Sequence, residues 1–119
     1  MVVLQSSNFE FDAGIKKYSK IHLMRIELKK FGTTLISRQA GSEALKAFQS
    51  TLRELKSDEI LEIDFLGVLT FSPSWGDEFL TPLLNQFGDR LILLPSDNLS
   101  VQATIKLLQE INSRKFRVS

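Results

Sequence analysis

The spacing of apolar residues switches between two periods along this chain, and the switches predict its elements. IHLMRIEL, residues 21–28, is rich in branched and apolar side chains, is interrupted by His22 and Arg25, and reads as a strand. A shorter strand is expected before it, over residues 2–4 or 9–11. Ser37 caps a predicted helix over 38–55, where Ala44, Phe48, Leu52 and Leu55 share one face. In EILEIDFLGV, residues 59–68, Leu61, Ile63 and Phe65 alternate with Glu62 and Asp64, a strand period. LILL, residues 91–94, is short and wholly apolar between Asp89-Arg90 and Pro95, as expected of a strand buried on both faces. A last helix over 99–113 carries an apolar stripe of Val101, Ile105, Leu108 and Ile111, with Asp97 or Asn98 as its cap. Strands alternating with helices predict an α/β domain, its sheet carrying helices on at least one face.

The junction between residues 71 and 82, FSPSWGDEFLTP, holds the candidate chemistry. Strand-to-helix turns are where open α/β sheets place ligands, because helix N-termini there present free N–H groups and a positive dipole end. Ser74-Trp75-Gly76-Asp77 matches the capping pattern in which a hydroxyl accepts from a backbone N–H and acids complement the dipole. Pro82 removes a hydrogen bond from a helix interior, whereas Thr81-Pro82 suits a cap and first-turn proline, so an irregularity is expected at 80–82.

Nucleophilic catalysis fits poorly. A nucleophile elbow needs Gly-x-Ser-x-Gly, but Ser72 stands at the first glycine, and the only histidine, His22, lies upstream of the serine. Asp64, Asp77 and Glu78 are the acids that would serve a hard cation. Asp77 and Glu78 are adjacent, however, and neighbours on a helix point about 100° apart. The glycines are scattered without phosphate-loop spacing, which argues against nucleotide binding, and no cofactor is expected.

Composition narrows the remaining choices. The 119 residues suit one domain over 1–119, 43% hydrophobic and 24% charged, outside the compositional range of disorder. Fifteen basic against fourteen acidic residues give no global drive toward nucleic acid or an anionic membrane. The absence of cysteine removes disulfide and thiolate chemistry. The first residues lack the pattern of a secretion signal and no stretch has the length of a membrane span, so a cytoplasmic protein is expected. In that setting Asn98-Leu99-Ser100 reads as a helix start rather than a glycosylation sequon.

LEIDFLGVLTFSPSWGDEFLTPLL resembles the centre of the STAS domain of sulphate transporters and anti-sigma factor antagonists, where a strand runs into Asp-Ser-Ser-Gly and a helix. It is more similar to a STAS-like family of bacterial proteins of unassigned function. Asp64-Phe65, Gly67-Val68 and Ser74-Trp75-Gly76-Asp77-Glu78 carry that resemblance, together with Gly32, Leu35 and Arg38 upstream, over about residues 30–115. It implies a single small domain with a mixed sheet, helices packed mainly on one face, and a role in protein binding. It also implies that Ser74 occupies the place of the serine that a partner kinase phosphorylates in the antagonists. Pro73 and Trp75 replace the residues flanking that serine in the family pattern.

These readings give a leading expectation: a non-catalytic regulatory module that docks a protein partner, in the family a histidine-kinase-like ATPase, through Ser72, Ser74, Trp75, Asp77 and Glu78. Trp75 is its candidate anchor, since aromatics supply binding hot spots, with burial in the core as the alternative for that side chain, and Gly32, Arg38, Asp64 and Gly67 form the supporting motif. The alternative is a small metal-dependent hydrolase using Asp64, Asp77 and Glu78. A third reading, in which basic residues of segment 16–30 hold nucleic acid, is weaker because such flanks are usually solvated. Oligomeric state is not readable from these patterns.

Overall fold

The computed structural model describes residues 23–119; the strands expected at 2–4 or 9–11, His22, and residues 16–22 of the basic segment lie outside them. Strand β1 (Leu23–Glu27) passes through a 3-10 turn (Leu28–Phe31) into the two-residue β2 (Thr34–Leu35) and helix α1 (Arg38–Leu52). Strand β3 (Ile60–Asp64) leads through β4 (Thr70–Phe71) into α2 (Pro73–Phe87), and β5 (Leu91–Leu93) leads into α3 (Leu99–Asn112) and the terminal β6 (Arg117–Val118). The fold is α/β, as its periodicities predict.

One sheet has the order β1-β3-β5-β6, and β2 pairs with β4 in a second, small one. Where a mixed sheet is the expectation, every pairing among the described residues is parallel. The main order runs in one direction, each crossover advancing to the next neighbour. Right-handed crossovers then place all three helices on one face. Burial agrees with that geometry. Register sets Met24, Ile26, Leu61, Ile63, Leu91 and Leu93 on the helix side, most of them fully buried. The other face carries Leu23, Arg25, Glu27, Ile60, Glu62 and Asp64, all exposed or half-buried, with Arg25 bonded to Glu62 at 2.9 Å. Ile92 is its buried exception.

Two helices pack where the sequence permits a close approach. Gly41 on α1 lies against the α2 backbone, and a Cβ there would stand 2.6 Å from the Trp75 carbonyl oxygen. Gly76 of α2 is less tightly confined: a Cβ there would stand 3.1–3.2 Å from side-chain atoms of Leu108, Phe71 and Thr104. The aromatic centre fills the space beneath, with Trp75 against Phe79 at 4.9 Å, Phe71 at 5.8 Å and Phe31 at 6.1 Å between ring centroids.

Several boundaries differ from the periodic reading for local reasons. The β1 pattern stops at Glu27 because Leu28 enters the 3-10 turn, and β3 stops at Asp64, where the chain folds into a tight turn. Helix α1 ends at Leu52, leaving Leu55 to pack half-buried from the following turn. In α3 the buried residues are Val101, Thr104 and Leu108, while Ile111 is 62% exposed, so the apolar stripe expected there bends away from Ile111. No restart occurs at 80–82: α2 runs through Pro82 as one helix. Leu80, Leu83 and Leu84 on either side of Pro82 are all buried, and their burial offsets the missing hydrogen bond.

Candidate functional site

The α2 N-terminus is built by Ser72, not Ser74. Ser72 has extended backbone dihedrals, and its Oγ accepts from the Trp75 N–H at 3.2 Å and donates to the Ile36 carbonyl at 2.6 Å. Pro73 takes the first helical position, where its missing N–H costs nothing. Ser74 is therefore already helical, half-buried, and makes no side-chain hydrogen bond to another described residue. This correction has a chemical consequence. Pro73 has no N–H to offer, the Trp75 N–H is held by Ser72 Oγ, and the Gly76 N–H by the Ser72 carbonyl. Only the Ser74 N–H remains open in the first turn, a poor cradle for an anion.

Trp75 is 1% exposed and ringed by Phe31, Phe71 and Phe79, which corrects its expected role as a surface anchor. The α2 turn points it inward because Gly76 and Gly41 let α1 and α3 close over both sides. The indole is a core element here, and its burial stabilises the fold by the usual few kcal/mol of a large side chain, about 1.5–3.

The acids of the junction are held by Arg38. Its Nη1 donates to Glu78 Oε2 at 2.7 Å and to Asp77 Oδ2 at 3.0 Å. Although neighbouring helical residues diverge, one long guanidinium at the start of α1 reaches both. Contact with Glu78 first, and Asp77 second, raises the Arg38 pKa above its ordinary value. Asp77 Oδ1 also accepts from Thr81 Oγ1 at 2.9 Å, and Thr81 Oγ1 accepts from Asn112 Nδ2 at 3.2 Å. A polar string thus joins α1, α2 and α3. Side-chain exposures of 55% for Arg38, 34% for Asp77 and 32% for Glu78 make it a half-exposed bridge.

Asp64 serves a separate purpose. Its Oδ1 accepts from the Leu66 N–H at 3.0 Å and so opens the turn closed by the Val68 N–H on the Phe65 carbonyl. Gly67 stands in that turn at φ 88°, a conformation side chains rarely adopt. Gly32 ends the 3-10 turn at φ 129°. Of the three acids of the hydrolase reading, Asp77 and Glu78 thus share Arg38 while Asp64 is engaged in its own turn, and among the described residues no group of three or more His, Asp or Glu converges. The one-way strand order also gives the described sheet no switch point of the kind that forms ligand crevices.

The arrangement has a second component that the motif reading misses. Leu66 is 72% exposed, Leu69 69%, Leu99 79% and Ile36 50%; Leu66, Leu69 and Ile36 stand on loops at the α2 N-terminal end and Leu99 is the first residue of α3. These loops are stitched together. Asn98 caps α3 by accepting from the Val101 N–H, while its Nδ2 donates to both the Val68 and Leu69 carbonyls at 3.0 Å. Ser100 Oγ donates to Asn98 Oδ1 and accepts from the Phe71 N–H, and the Leu69 and Thr70 N–H groups share the Thr33 carbonyl. Exposed leucines on a loop pinned from three sides form a preorganised apolar surface.

Compared with protein families, curated proteins and solved structures, the chain has no significant match.

The site is accordingly read from its own geometry. Ser72, Arg38, Asp77 and Asp64 are occupied in building the end of the domain; Ser74 and the four exposed apolar residues are free to meet something outside it. A scan for exposed leucines flanking a predicted turn glycine would have found Leu66 and Leu69. Among the described residues no helix is long and apolar enough to cross a membrane.

Proposed function

We propose that the protein is a non-catalytic, cytoplasmic interaction module that docks a regulatory protein partner through the loop end beside α2. The observation that carries this reading is the pinned β3–β4 loop, which holds Leu66 and Leu69 out to solvent at 72% and 69% exposure while Asp64, Gly67 and Asn98 fix its backbone. A rigid apolar surface binds with little ordering cost, which suits a docking site and contributes nothing to bond-making. The STAS-like resemblance supports the same class of function and adds a histidine-kinase-like ATPase as the partner type, with Ser74 as the position open to modification.

Phosphate on Ser74 would place about −1.5 to −2 charges one turn before Asp77 and Glu78 and within the reach of the same helix face as Arg38. In that turn only one N–H is open to the phosphate, and the acids one turn on, bridged by Arg38, oppose the attraction of the helix dipole. Modification at this position therefore acts on the α1–α2 bridge as well as on the docking surface.

The test is affinity capture by the tagged chain, with and without ATP, run beside a Leu66→Ser, Leu69→Ser variant whose changes lie on exposed positions. Recovery of an ATPase of the kinase type by the wild type and its loss from the variant is the expected result. Equal recovery by both proteins, or no ATPase in either condition, would overturn the reading. Mass spectrometry of the Ser74 peptide from the same capture reports on modification.

A further inference from the structure

Helix α3 has two apolar faces, and the core uses one of them. Val101, Thr104 and Leu108 face α2 and are buried. Ala103, Leu107 and Ile111 stand on the other side, spaced by four residues, with Ala103 exposed, Leu107 39% exposed and Ile111 62% exposed. Residues four apart form a ridge along a helix, and such ridges are the surfaces by which helices pack. Scattered exposed apolar residues need no partner, but a ridge two turns long on the last helix of the domain is a surface of defined shape.

Charge beside the ridge selects the occupant. Lys106 and Glu110 flank it, both exposed, and neither forms an ion pair with a described residue although they are one turn apart. Both line a shallow hollow of about 440 Å³ at the α3 C-terminal end. A cation and an anion placed in that order along a helix are complementary to the same helix running the other way. We infer that the protein forms a two-fold symmetric homodimer in which the Ala103–Leu107–Ile111 ridge of α3 packs against its own copy.

With the axis at Leu107, each Leu107 meets Leu107 of the partner subunit, and small Ala103 faces Ile111 of the partner subunit. Lys106 then comes within two residues' rise, about 3 Å, of the level of Glu110 of the partner subunit, an offset that long side chains span. The symmetry makes this contact twice. An isologous interface of this kind is the commonest closed arrangement of identical chains. It leaves the β3–β4 loop and the α2 N-terminus outside the contact, so docking and dimerisation are separable.

Sedimentation velocity on the full chain, from low micromolar to submillimolar concentration, decides the matter. The expected mass at the upper end is twice the 13.5 kDa of the chain. Leu107→Glu should sediment as a monomer throughout. Lys106→Glu, a change at an exposed side chain that the fold tolerates, should raise the dimer dissociation constant roughly tenfold by setting like charges against each other. The double variant Lys106→Glu, Glu110→Lys should restore it, since both contacts are remade with the signs exchanged. A wild type that stays at the chain mass, a Leu107→Glu protein that still dimerises, or a double variant no tighter than Lys106→Glu would each overturn the proposal.

Discussion

Gly41 of α1 sits so close to Trp75 of α2 that a β-carbon at Gly41 would stand 2.6 Å from the Trp75 carbonyl oxygen and 3.1 Å from its Cα. The neighbour is backbone inside a helix, and it cannot swing aside as the end of a side chain could. Gly41→Ala should therefore destabilise the protein by about 1–3 kcal/mol through overpacking, even though alanine gains up to about 1 kcal/mol over glycine in helix propensity. Urea unfolding measures the balance, and an unchanged or raised midpoint would mean that α1 and α2 are less closely packed than this geometry requires.

Asn98 spends its two ends on different tasks, which substitutions can separate. Its oxygen caps α3 through the Val101 N–H, and its amide group holds the Val68 and Leu69 carbonyls. Asn98→Asp keeps the cap and loses the clasp; Asn98→Ala loses both. The alanine variant is expected to cost about 2 kcal/mol, roughly half of it the cap. The aspartate variant turns an acceptor oxygen toward the two carbonyls and should speed amide exchange at Val68, whose N–H closes the turn on Phe65. Unaltered exchange there would show that the loop stands without the clasp.

How legible the fold was depended on the length of each element. Helices α1 and α3 and strand β3 have enough residues to display a period, and their caps, Ser37 and Asn98, are conventional hydroxyl and amide caps. Strands β2, β4 and β6 have two residues each, too few for alternation to appear, and β2 and β4 exist because Leu35 and Phe71 are buried as neighbours. The same limit governed the site. The charges of the Arg38 to Asp77 and Glu78 bridge are visible in the sequence, but their pairing is not, because fifteen basic and fourteen acidic residues offer many combinations. The Asn98 clasp was not legible, since it joins a cap to carbonyls thirty residues earlier, and backbone carbonyls carry no sequence signature.

The two serines of the junction give a direct contrast. Matching Ser74 to a capping box overlooked the stronger rule beside it, that Pro73 belongs at a first helical position and so makes Ser72 the cap. Ser72→Ala should destabilise the protein by about 1–2 kcal/mol, because the Trp75 N–H loses its acceptor and the Ile36 carbonyl its donor. Ser74→Ala should fall within about 0.5 kcal/mol of wild type, as a half-exposed hydroxyl without a bond removes little. Thermal unfolding of the pair distinguishes them, and a larger loss from Ser74→Ala would return the cap to Ser74.

Arg38 binds two carboxylates with one nitrogen, yet more than half of its side chain is exposed. Solvent and salt screen such a bridge, so its worth rests on how many groups it organises. Asp77 is tied onward to Thr81 and through it to Asn112 on α3, whereas the bond to Arg38 is the side-chain bond recorded for Glu78. Asp77→Asn should therefore lower the melting temperature more than Glu78→Gln, and Arg38→Ala should lose stability at low salt that largely vanishes at high salt. The sign of the pH effect follows from the raised Arg38 pKa: the stabilisation is complete below the ordinary arginine value and is lost only as pH rises through the still higher folded one. Across about pH 6 to 9 the difference between wild type and Arg38→Ala should consequently stay constant. A difference that changed within that window would place its origin in a group other than the guanidinium, and a salt-independent one would show that Arg38 acts by packing its stem rather than by charge.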